Sequence, residues 1–86
     1  MLQIVCRPVQ KEVVVELHGW LRGPEIAEFQ RVCAERPLPL RIDLGNVVGI
    51  SADGLLALKQ QRARGARLAR ASPYIELLLR GHSTTP

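Results

Sequence analysis

Leu40-Arg41-Ile42-Asp43-Leu44-Gly45-Asn46-Val47-Val48-Gly49-Ile50-Ser51-Ala52-Asp53-Gly54-Leu55-Leu56-Ala57-Leu58 is the stretch on which the fold turns. Its first five residues alternate apolar and charged, the period of a strand with one buried face. Gly45-Asn46 is a turn signal, so the strand is expected to end at Leu44 and a short loop to follow. Ser51 is a good N-cap, because its hydroxyl can accept an N–H left unpaired in a helix's first turn. Asp53 then puts negative charge where the helix dipole favours it, and the two effects together are worth about 1–2 kcal/mol. Leu55, Leu56 and Leu58 make the apolar stripe of a helix running to about Arg64. Gly65 stops it, and Arg62 and Arg64 suit the negative end of its dipole.

Upstream, Val13-Val14-Val15-Glu16-Leu17-His18-Gly19 is a clear strand. Val13, Val15 and Leu17 share one face, and Val14, Glu16 and His18 share the other. Residues 2–6 alternate weakly, and Gln10-Lys11-Glu12 suggests a turn, so residues 2–6 and 13–18 are expected to pair as a hairpin. Gly23-Pro24 opens the first helix, with proline expected at its first residue, where a missing N–H costs nothing. Ile26, Phe29, Val32 and Cys33 form its apolar stripe, and Pro37 and Pro39 end it.

Downstream, Gly65 argues for a break and a short strand within residues 66–71. Ser72-Pro73 caps a last helix carrying Tyr74, Ile75, Leu77, Leu78 and Leu79. The order is β-β-α-β-α-β-α. It predicts one small α/β domain: a mixed four-stranded sheet with an N-terminal hairpin, a largely parallel half and helices packed on it. Parallel neighbours require helical crossovers, and these run right-handed. The domain is expected over residues 1–81, with residues 82–86 as a flexible tail.

At 86 residues the chain fits one domain, which buries roughly 60–65% of its unfolded surface. Hydrophobic residues make up 47% but aromatics only 3%, namely Trp20, Phe29 and Tyr74, so the core must be aliphatic. The longest uncharged run, Leu44 to Ala52, is far short of the about 20 residues that span a bilayer. Residues 1–8 lack a basic segment followed by a long apolar one, so no signal peptide is read there. Cys6 and Cys33 are too few for a disulfide scaffold and too far apart for a zinc or redox pair. They read as buried, reduced thiols of a cytoplasmic protein.

Candidate nucleophiles and bases are Cys6, Cys33, Ser51, Ser72 and His18, each without an orienting partner in sequence. His18 reads as a surface histidine on a sheet edge beside Glu16, and His82 lies in the tail. No carboxylate pair, metal-ligand spacing, P-loop or GxGxxG occurs, so no enzyme activity, cofactor or metal is expected. The net charge is +4, and Lys59, Arg62, Arg64, Arg67 and Arg70 follow one another without an intervening acid. Such a run attracts phosphates. It contains no aromatic on which bases could stack, so a solvated helix face is the simplest reading, with a small basic nucleic-acid-binding domain or an acidic protein partner as the alternatives.

Here the stretch resembles the STAS domain, the sulfate-transporter and anti-sigma-factor-antagonist family. Asp43-Leu44-Gly45 resembles that family's strand end, and Ser51-Ala52-Asp53-Gly54-Leu55 its helix opening. Val15-Glu16-Leu17-His18-Gly19-Trp20-Leu21 resembles the segment before its first helix. Gly65-Ala66-Arg67-Leu68 resembles the return to its last strand, and Ala71-Ser72-Pro73 with Leu77-Leu78-Leu79 its final helix. The resemblance covers residues 2–81 in the right order. It implies a non-enzymatic protein–protein interaction module. The partner would be an anti-sigma factor or switch kinase, or alternatively the ATPase subunit of a lipid-transport ABC system. The docking surface would comprise Ser51, Ala52, Asp53, Gly54, Leu55 and Leu56, with an apolar patch at Leu55 and Leu56 and Asp53 at its rim.

The departures bear on regulation. The family's phosphorylatable serine falls at Asp53, its aspartate two residues earlier falls at Ser51, and the aspartate after Gly-x-Leu falls at Arg22. Serine phosphorylation at position 53 is therefore impossible. Ser51 is an alternative acceptor, although capping explains it more simply. The weak first strand also leaves an edge on which a second copy could pair to give a homodimer.

Overall fold

The computed structural model describes residues 2–81. Their order is β1 (Leu2–Val9), β2 (Glu12–Leu21), α1 (Glu25–Ala34), β3 (Leu40–Ile50), α2 (Ala52–Arg64), β4 (Arg67–Ala69) and α3 (Pro73–Gly81). This is the expected β-β-α-β-α-β-α succession in a small α/β domain. The tail at 82–86, with His82, lies outside the described residues.

The four strands line up as β1-β2-β3-β4. β1 runs antiparallel to β2, joined at Gln10, whose φ of 57° makes the turn. β2, β3 and β4 are parallel neighbours. Because the two crossovers step across the sheet in one direction, right-handed connections put their helices on one face. The core agrees. Val15, Leu17, Ile42 and Leu44 from the sheet are buried with Phe29 and Cys33 of α1, Leu55 and Leu58 of α2, and Ile75 and Leu79 of α3. Phe29 is the largest fully buried side chain of an otherwise aliphatic core.

β1, β2 and β3 are longer than the hydrophobic pattern suggests, and β3 differs most. It does not stop at Leu44. It continues to Ile50 alongside β2, absorbing extra residues in two irregularities. Leu17 alone faces Leu44 and Gly45, since Glu16 pairs with Asp43 and His18 with Asn46. Gly19 then pairs with Val47 and Trp20 with Gly49, which leaves Val48 over. A bulge bends and twists a strand without ending it, so the turn-like Gly45-Asn46 sits inside the ladder. The expected loop is absent because β2 is long enough to keep pairing.

Two smaller corrections follow. His18 is not on a sheet edge, since β2 is flanked by β1 and β3. Pro24 is the N-cap of α1 rather than its first residue, with φ −64° and ψ −15° already helical. The other helix ends fall as expected. Ser51 Oγ accepts the Gly54 N–H at 3.1 Å, Ser72 Oγ accepts the Ile75 N–H at 3.2 Å, and Gly65 closes α2 with φ 117°.

Candidate functional site

The start of α2 is built by close backbone approach. The Ser51 N–H donates to the Leu21 carbonyl at 3.1 Å, fastening the helix entry to the end of β2. Gly54 is buried there, and a Cβ on it would lie 2.5 Å from the Leu21 carbonyl oxygen. Only glycine fits without displacing backbone. One strand pair back into the sheet, the Trp20 ring covers Gly49 so closely that a Cβ on Gly49 would collide with it. The Arg22 guanidinium lies over that ring, 4.6 Å from its centroid, within cation–π range.

Around this rigid base several large apolar side chains face solvent. Trp20 is 39% exposed, Val48 70% and Leu56 54%. Val48 owes its exposure to the second bulge, which leaves it without a β2 partner. Ala52 and Asp53 are exposed on the first turn of α2. All these residues belong to the C-terminal ends of β2 and β3 or to the opening of α2, the end at which open α/β sheets bind their ligands.

The six residues expected to dock a partner divide accordingly. Ala52, Asp53 and Leu56 are exposed. Leu55 is 3% exposed and belongs to the core, so the apolar patch expected at Leu55 and Leu56 is Leu56 alone on the helix. Gly54 is spent on the contact with Leu21. The Ser51 hydroxyl is spent on the cap, so its place as an alternative phosphate acceptor competes with the helix start. Trp20 and Val48, at the ends of β2 and β3, are exposed as well. A tryptophan two residues before Arg22 at a strand end was the available sequence signal, whereas Val48 depended on a bulge.

The open face of the sheet, opposite the helices, is charged. Glu16 accepts from Arg7 at 2.7 Å and lies 3.2 Å from His18 Nε2. These partners, Arg7 foremost, hold its carboxyl below the ordinary value of 4.5. Asp43 accepts the Gly45 N–H at 2.9 Å and pairs with Arg70 Nε at 3.0 Å. Arg70 has φ 59° and packs over Gly45, where a Cβ would meet its guanidinium. Asp43, Gly45 and Arg70 thus form a clasp between β3 and the residue after β4.

This scatters the basic run. Arg64 reaches the carbonyls of Cys33 and Arg36 at 3.2 and 3.4 Å, tying α2 to the end of α1. Arg70 is in the clasp, and Arg67 faces Glu12 at 4.0 Å. Arg64 is thus spent on α1 while Arg67 and Arg70 stand on the sheet, so the run is not one helix face. Of the thiols, Cys33 is buried and Cys6 half-buried, both free. Burial pushes the Cys33 thiol up to about 11. Among the described residues there is no cluster of three His, Cys, Asp or Glu able to hold a metal ion, and no helix long and apolar enough to cross a membrane.

No protein-family model matches the chain, and comparison with curated proteins finds no match. Among solved structures it is similar to one described as "Crystal Structure Analysis of Mglu", with a TM-score of 0.61. The likeness is one of fold. Identity is 17%, and the match covers 80% of this chain but only 19% of that one, so this chain spans a small part of its neighbour's length.

Proposed function

We propose that this chain is a STAS-type, non-enzymatic docking module of the cytoplasm, and that its partner is a switch kinase or an anti-sigma factor. The partner seats on the opening of α2 and the ends of β2 and β3. One observation carries the reading: Trp20, Val48 and Leu56 are exposed together with Asp53 at one end of the fold. Apolar side chains rimmed by charge on a fixed backbone are what a protein partner recognises. The Arg22-stacked indole is the natural anchor, since tryptophan and arginine dominate binding hot spots.

Asp53 stands where the resembled family has its phosphorylatable serine. A carboxylate carries one charge against about 1.5–2 for a phosphoserine, and has no hydroxyl to modify. The module therefore docks without a phosphorylation switch at this position.

The test is capture of the partner from the source cell by the tagged chain, with its identity read by mass spectrometry. Asp53→Lys and Leu56→Asp should each abolish capture of a kinase or anti-sigma factor while leaving the thermal melt nearly unchanged. Undiminished capture by both variants would remove this surface. Capture of a transporter ATPase instead would reassign the partner.

A further inference from the structure

The far end of α2 opens onto a different feature. A groove of about 760 Å³ runs beside β4, between that strand, the last turn of α2 and α3. All three residues of β4 line it, although Arg67 and Ala69 point to one face of the sheet and Leu68 to the other. Residues from both faces can line one groove only where it follows the strand's open edge. That edge is real, because β4 pairs with β3 on one side and with no strand on the other among the described residues. In such a strand alternate N–H and C=O groups point outward without a ladder partner.

The two walls differ in chemistry. On the helix side the groove is apolar, with Leu68 and Ala71 only half-buried and Leu79 behind them. On the open face Arg67 stands beside Arg41, its register partner on β3. Arg62 and Arg80 border the helical rim. A smaller hollow of about 270 Å³ shares Arg41 and Arg67 and adds Lys11. Five cations therefore line the two spaces against two carboxylates, Glu12 and Glu76. Glu12 is bound to Arg41 at 2.9 Å, and Glu76 lies 3.9 Å from Arg80. Arg62 and Lys11 make no ion pair among the described residues.

We propose that this groove binds an extended acidic peptide, which adds to the sheet along β4. Successive side chains of an added strand point to opposite faces, as those of β4 do. The residue flanking Arg67 then lies on the open face in the row of Arg41, where an acid is favoured, and the residue flanking Ala69 lies in the row of Asp43, which is paired with Arg70. The residue flanking Leu68 lies on the helix side against Leu79, where an apolar side chain is favoured. The recognised core is an acid beside an apolar residue. Two other occupants fit less well. A second copy pairing β4 to β4 would bring the cations of both edges, Arg41 and Arg67 with their duplicates, to one face of the shared seam, adding like charge where an acidic peptide offsets it. Single-stranded nucleic acid would find no aromatic platform, since no aromatic lines either space.

The test uses the full chain and a fluorescein-labelled eight-residue peptide of alternating valine and glutamate, read by fluorescence anisotropy. The peptide should bind, and binding should weaken as salt is raised. Arg67→Glu and Arg62→Glu should each weaken it about tenfold, as loss of a charge-assisted contact does. A valine–lysine peptide, a copy with a central proline and a thymidine oligomer should not bind. On binding, the backbone amides of residues 67–69 should shift and exchange more slowly with solvent. Equal binding of the lysine peptide would overturn the charge reading, and equal binding of the proline copy would overturn strand addition. Tighter binding of the oligomer would make the site one for nucleic acid, and indifference to both arginine variants would move it elsewhere. Asp53→Lys should leave the peptide's affinity unchanged, which keeps this site separate from the surface at the other end of α2.

Discussion

The two ends of α2 are built by opposite means. At its start backbone lies on backbone: Gly54 sits under the Leu21 carbonyl, Ser51 caps, and nothing larger than hydrogen fits. At its finish Gly65 turns the chain away with φ 117°, and the space beyond is bordered by long arginine side chains over a half-buried apolar wall. The first end tolerates almost no change in volume and presents a fixed set of side chains. The second tolerates change and presents charge. Rigid ends suit a shape-matched partner, and a soft charged edge suits a pliant chain that supplies its own backbone.

That contrast predicts a steep gradient of mutational cost along one helix. Gly54→Val should be the most damaging change, at about 3 kcal/mol or more in a urea titration, because its Cβ must displace the Leu21 backbone. An unaltered midpoint would show that the two backbones can part freely. At the far end Gly65→Ala should cost about 1–2 kcal/mol, chiefly from the positive φ, since the one close atom, 3.3 Å from a Cβ, is the end of the Leu38 side chain, which can give way. Ser51→Ala should cost about 1 kcal/mol for the lost cap. If Ser51→Ala proved costlier than Gly54→Val, the cap and not the close approach would be what holds the first end.

Between the ends, the open sheet face gives a smaller, pH-dependent effect. The Glu16 carboxyl is lowered in the folded protein, chiefly by Arg7. A depressed carboxylate contributes stability above its unfolded value and loses it as the pH falls through the folded one. The contribution is thus present above about pH 4.5 and fades below it. Arg7→Ala should raise the Glu16 midpoint toward 4.5 in an NMR titration, and an unmoved midpoint would leave His18 as the partner that matters. Smallest of all, Arg62→Glu should change stability by less than about 0.5 kcal/mol, because its side chain is exposed and makes no ion pair among the described residues. A large loss there would mean that the groove is part of the scaffold rather than a site on it.

The same contrast separates what was legible in the residues from what was not. Ser51, Gly65 and Ser72 announce helix ends because capping is a local matter of one side chain and its own turn. The alternation of residues 13–18 and 40–44 reports a buried face for the same reason. Beyond Leu44 local signals mislead. Gly45-Asn46 looks like a turn, yet the strand runs on, since a neighbouring strand can absorb the extra residue in a bulge and keep its hydrogen bonds. Adjacent leucines are likewise ambiguous. Leu55 is buried and Leu56 exposed because the helix's rotation is set by Gly54 on Leu21, which no periodicity records.

The candidate surfaces follow this division. Ala52, Asp53 and Leu56 could be placed on an exposed helix start from residue order alone. Trp20 and Val48 joined them only through the register of β2 on β3. The five cations from Lys59 to Arg70 read as one solvated helix face, but only some stand on the helix. Arg70 is held by Asp43 and Arg67 lies beside Arg41, a residue from outside the run.

By itself the sequence determined the succession of strands and helices, the aliphatic core and the helix caps, because each depends on neighbours a few residues away. Tertiary structure alone decided where β3 ends, which leucine of α2 faces water, and which arginines share a groove. Those outcomes depend on which distant backbones come close enough to pair or to exclude a side chain, and separation along the chain carries no record of that.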